Sequence, residues 1–119
     1  METFYRKKIL FIYSLFLVIV SVLPVSEPQE LEYLNADKAV HALFYLVFVL
    51  LYVFAFARSR FIYIKSFVCA FSLGLFIETL QYFIPYRSFD ILDIAANSLG
   101  AAFGLLVAYK LLKQSRRFK

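Results

Sequence analysis

Nine polar residues interrupt an otherwise apolar chain in three tight groups, and their types are those that move protons or hold anions. Asp37, Lys38 and His41 form the first group, Glu78 and Gln81 the second, and Arg87, Asp90, Asp93 and Asn97 the third. Spacings of three and four residues within the groups put each on one face of a helix. A histidine near carboxylates suits general acid or base work, and an arginine offers paired donors to a carboxylate or a phosphate. Asp90 and Asp93 also stand where carboxylates favour a helix N-terminus, which accounts for one of them but hardly both. Beyond Asn97 the same face continues with Gly100 and Gly104, a G-x-x-x-G pair that lets a second helix approach closely. Gly74, four residues before Glu78, is read the same way.

Of 119 residues, 63% are hydrophobic and 20% aromatic, against about 45–50% apolar in soluble domains. Only 18% are charged. These proportions exclude an ordinary soluble domain, and equally a disordered or low-complexity chain. Four apolar stretches, at about residues 9–23, 39–57, 61–83 and 91–112, approach the roughly 20 residues with which a helix crosses a bilayer. None alternates, and lipid offers backbone groups no partner outside the segment, so all four are predicted helices. The expected fold is all-α: one domain over residues 1–119, an integral membrane bundle of four transmembrane helices.

The first stretch has some signal-peptide character. The residues before and after Pro24 make a poor cleavage site, so it is read as an uncleaved span. It holds no ionisable group in its core and is assigned to packing and insertion. Cys69 lies in an apolar run without a second cysteine, which excludes an internal disulfide.

Charge sets the orientation. Arg6, Lys7 and Lys8 precede the first stretch, and Arg58, Arg60 and Lys65 cluster at the second connection. Lys110, Lys113, Arg116, Arg117 and Lys119 end the fourth, leaving only Lys38 and Arg87 elsewhere. In a four-span chain all of the clustered cations fall on one side, which the positive-inside rule makes cytoplasmic, together with both termini. Every acidic residue except Glu2 falls on the other side or in the outer parts of the spans. The sequence pI of about 9.4 therefore reflects topology and not nucleic-acid binding. The tail from Lys113 to Lys119 is read as a topogenic stop that can also touch anionic lipid.

This topology gathers the three polar groups at the outer face. A rise of 1.5 Å per residue puts His41, Glu78 and Asn97 roughly 7–11 Å from the midplane, inside a hydrocarbon half-thickness of about 15 Å. Ionised groups there cost roughly 2.5–3.5 kcal/mol if they face lipid, so these side chains are expected to face inward and meet one another.

The set Asp37-Lys38-x-x-His41, then Glu78-x-x-Gln81-x-x-x-Pro85-x-Arg87-x-x-Asp90-x-x-Asp93-x-x-x-Asn97-x-x-Gly100-x-x-x-Gly104, resembles the VanZ-like family of small bacterial membrane proteins. One departure is Tyr86, where the family usually carries glycine. The resemblance covers residues 37–104 and implies a role in the bacterial envelope, since the family is named for a member associated with teicoplanin resistance. It implies no settled reaction.

Three functions remain open on the residues. In the first, the outer polar site makes the chain an envelope accessory protein that binds an envelope lipid, a lipid-linked precursor or a lipophilic glycopeptide. Arg87 and Lys38 would then take phosphate, with carboxylates for sugar hydroxyls and Asp37, His41, Glu78, Gln81, Asp90, Asp93 and Asn97 completing the site. In the second, a small intramembrane enzyme uses His41 as acid or base, Glu78 and Asp93 as its partners and Arg87 to stabilise an anion. His41 and the carboxylates lack a strict ligand spacing, so no metal site is assigned, and no other cofactor is identified. In the third, the glycines dock another membrane protein and the polar groups serve only the fold.

Overall fold

Each apolar stretch becomes one helix: α1 (Glu2–Val22), α2 (Ala36–Ala55), α3 (Ile62–Tyr82) and α4 (Ile91–Arg117). The structure is a computed structural model. It describes residues 2–22, 36–57, 59–83 and 91–117, with side chains for 4–21, 39–57, 59–83 and 91–114. All regular structure among the described residues is helical, as expected. Ile62–Tyr82 and Ile91–Gln114 are long and apolar enough to cross a membrane, and Ala39–Ala55 is a shorter apolar helix. Two helices outrun their apolar stretches: α1 begins at Glu2, ahead of its basic residues, and α4 continues to Arg117. Hydropathy marks only the part of a helix that avoids water, and Lys and Arg are good helix formers beyond it.

Contacts at the two ends of the bundle fix how the helices run. Arg6 Nη1 donates to Phe54 O at 3.3 Å, and Lys7 Nζ lies 5.1 Å from the centre of the Phe56 ring. The start of α1 therefore meets the end of α2. Tyr63 and Tyr109 meet edge to face at 6.1 Å, joining the start of α3 to the end of α4. At the opposite end Gln81 Nε2 donates to Ser21 O at 3.0 Å, joining the ends of α3 and α1. Successive helices thus run antiparallel, which leaves α2 and α4 parallel and gathers Arg6, Lys7, Arg60, Lys65 and Lys110 at one end. The α2–α3 turn is tight, with Ser59 N donating to Phe56 O at 2.8 Å. Phe61 closes it in the left-handed conformation, φ 58° and ψ 37°, which costs a residue bearing a Cβ about 1 kcal/mol or more.

The most extensive helix pair is α2 with α4. Its closeness comes from the two glycines. A Cβ at Gly100 would stand 2.6 Å from the carbonyl carbon of Ala42 and closer still to its oxygen. One turn on, a Cβ at Gly104 would lie 2.9 Å from Leu46 O and 3.1 Å from Val49 Cβ. The G-x-x-x-G pair is therefore used within the chain, backbone against backbone.

The inward stripe of α3 reads Ile62, Ser66, Ala70, Gly74, Ile77, Glu78 and Gln81. Small residues bring it close to its neighbours along most of its length, and polar ones finish it. Outward faces carry Phe11, Leu15 and Ile19 on α1, Ile64, Val68, Phe71 and Leu75 on α3, and Leu99, Phe103 and Leu106 on α4, all exposed. Buried positions include Ser66, Glu78, Gln81 and Asn97. The core also holds large apolar side chains, among them Leu17, Phe48, Val49 and Val53, so what departs from a soluble protein is the apolar outside and the polar groups within.

Gly100→Ala is expected to destabilise the detergent-solubilised chain by about 1–3 kcal/mol, because rigid backbone stands where the methyl must go. Ala102→Leu, on the exposed face of the same helix, should leave the melting midpoint unchanged. Size-exclusion profiles after stepwise heating measure both, and an unaltered Gly100→Ala midpoint contradicts the contact.

Candidate functional site

The three polar groups divide by depth and by what the structure describes. Arg87 and Asp90 lie outside the described residues, as do the side chains of Asp37 and Lys38, whose backbone forms the first turn of α2. His41 is half-buried on α2, one turn before Tyr45. Asp93 is half-buried in the first turn of α4, one turn before Asn97. Glu78, Gln81 and Asn97 are buried, at 1%, 4% and 4% exposure.

Gly74 brings two of the other helices together. A Cβ there would lie 3.1 Å from Asn97 Nδ2 and 3.6 Å from the ring of Tyr45, so the missing side chain leaves room for an amide from α4 and a phenol from α2. Tyr45 is itself buried, at 3% exposure. Glu78 stands one helical turn beyond Gly74 in the same inward stripe. The deep part of the site is thus a notch formed by Tyr45 of α2, Gly74 and Glu78 of α3, and Asn97 of α4.

Asn97 Oδ1 is buried and accepts no hydrogen bond from the described residues. An orphaned buried acceptor of this kind costs about 1–3 kcal/mol, and most such groups in folded proteins are paired. Gln81 differs, because its Nε2 is committed to Ser21 O. That carbonyl lies in the last turn of α1, where intrahelical donors run out, so the Gln81 amide caps one helix from another.

Two participants have no counterpart among the sequence candidates. Tyr45 sits in an apolar run and resembles any aromatic of a membrane helix; only its place four residues after His41, on the same face, marks it. The Ser21 carbonyl carries no sequence signal at all. Through it α1, assigned to packing alone, contributes a polar atom next to the site. Among the described residues no group of three or more His, Cys, Asp or Glu side chains is placed to hold a metal ion.

The chain matches the VanZ/LLP1 family over residues 9–113. It is 35% identical over 116 residues to an uncharacterized protein of the fission yeast Schizosaccharomyces pombe, an alignment that covers 96% of this chain and 69% of the yeast protein. That relative is eukaryotic and uncharacterized, so the likeness carries neither a bacterial setting nor teicoplanin resistance nor an activity. No solved structure matches. The VanZ-like arrangement of polar residues, the burial of Glu78, Gln81 and Asn97 among them and the match over nearly the whole chain agree: the protein belongs to the VanZ/LLP1 family.

Proposed function

We propose that the chain is a four-span protein of a cell membrane, with both termini cytoplasmic, and that its outer polar site binds the headgroup of an envelope lipid or lipid-linked precursor. The observation that carries this reading is the burial of Glu78, at 1% exposure, with Gln81 and Asn97 in a bundle whose outward faces are apolar. A carboxylate exposed to lipid at such depth costs roughly 2.5–3.5 kcal/mol, and ionisable groups kept within membrane segments mark ligand or ion sites by default. An apolar side chain would fill the same space for packing alone. The apolar outward faces support membrane insertion of α1 and α2 as well as of the two longer apolar helices. Gathering of the described cations at one end supports a cytoplasmic placement of that end, and the polar notch lies toward the other.

The yeast relative bears on the ligand. It favours a lipid, which bacterial and fungal membranes both offer, over a lipophilic glycopeptide. The lipid-linked precursor and the simple envelope lipid share a polar headgroup on an apolar tail, and Arg87 and Lys38 are of the types that take a phosphate in either.

Orientation is tested by single cysteines in a Cys69→Ala background. Glu30→Cys should react with an impermeant maleimide on intact cells, and Lys119→Cys only after lysis; the reverse pattern contradicts the topology. Binding is tested by native mass spectrometry of the detergent-extracted chain. Wild type should retain a phosphate-bearing lipid that Arg87→Ala and Glu78→Gln, both checked for folding, lose by tenfold or more. Equal retention by all three removes the site from lipid binding.

A further inference from the structure

We infer that the deep notch takes an uncharged hydrogen-bond donor, the hydroxyl of a lipid alcohol, and that Asn97 Oδ1 receives it. This rests on the lipid-binding reading and adds the chemistry of the ligand's innermost group. Asn97 is 4% exposed, and its Oδ1 is buried without a donor from the described residues. An amide oxygen only accepts, and the Glu78 carboxylate beside the notch accepts as well when ionised. A group that satisfies Asn97 Oδ1 must therefore donate.

Charge narrows the class further. An ionised phosphate brings acceptor oxygens and negative charge against a carboxylate and a carbonyl, so it is excluded from the deep end. An ammonium donates too and could pair with Glu78, but it must shed its hydration to enter a notch otherwise formed by Tyr45, Gly74 and Asn97. A hydroxyl donates without that penalty. The ligand is thereby oriented, with its hydroxyl inward between α2, α3 and α4, its tail along the apolar outward faces and any phosphate toward the outer connections.

Phosphatidylcholine nanodiscs holding the full chain and doped with dioleoylglycerol, its 3-acetyl ester, dioleoylphosphatidic acid or dioleoylphosphatidylethanolamine test this by native mass spectrometry. Wild type should retain dioleoylglycerol at least tenfold better than the acetyl ester, which keeps the shape and lacks the donor. Asn97→Leu should erase that preference. The ester comparison needs no variant and so survives a folding failure of Asn97→Leu. Equal retention of alcohol and ester, a preference that persists in folded Asn97→Leu, or Asn97-dependent retention of the ethanolamine lipid in place of the alcohol overturns the inference. Excess glycerol that displaces dioleoylglycerol assigns the hydroxyl to a soluble polyol; failure to displace it assigns the hydroxyl to the lipid. Retention of phosphatidic acid without dioleoylglycerol leaves lipid binding standing and removes the hydroxyl. Retention of none of the doped lipids removes both.

Discussion

Backbone contact between α2 and α4 governs this molecule. Two helices meet this closely where one of them presents no side chain, and Gly100 and Gly104 lie against the backbone of Ala42 and Leu46. The parallel pair is thereby fixed in register. With Gly100 against Ala42, the turn of α4 carrying Asn97 is set beside the stretch of α2 carrying His41 and Tyr45, and α3 completes the notch through Gly74. In lipid the hydrophobic effect does little to drive helices together, and close van der Waals packing takes its place. Had α4 carried leucines at these two positions, its axis would stand farther from α2 and Asn97 would lose its place beside Tyr45.

The same logic explains the polarity of the bundle. Water-soluble helices turn apolar stripes inward; here the inward stripe of α3 is small and then polar, while phenylalanine, leucine and isoleucine cover the outside. Polar groups gather at one end, where side chains of α2, α3 and α4 and the Ser21 carbonyl of α1 come within reach. Cations gather at the other. The chain thus has an axis, and its candidate site lies away from its basic end.

Much of this was legible in the residues, for physical reasons. An apolar run of about 20 residues has few alternatives to a helix, so the four elements followed from length, though not their ends, because Lys and Arg at 6–8 and 113–117 extend helices without adding hydropathy. His41, Glu78 and Asn97 were expected to face inward because lipid would penalise them elsewhere; Glu78 and Asn97 are buried, whereas His41 is only half-buried. The glycine pair announced a close approach but not its partner, since Ala42 and Leu46 are ordinary helix residues and need no special type to receive it. Tyr45 was missed because a phenol in an apolar run reads as one more aromatic. The Ser21 carbonyl was missed because every residue has one. Asp37, Lys38, Arg87 and Asp90 keep the standing that their sequence pattern gives them.

Whether the notch serves binding or only the fold is a question about stability. An amide retained to pair helices stabilises them, whereas one retained for a ligand leaves its acceptor waiting and costs the empty bundle. The direct measurement is the melting midpoint of lipid-stripped Asn97→Leu against wild type. A functional Asn97 predicts a midpoint equal to or above that of wild type, since leucine keeps the heavy-atom count and branching of asparagine and removes an orphaned acceptor. A fall corresponding to about 1–3 kcal/mol would show that Asn97 holds the helices together, contradicting a site kept for a ligand.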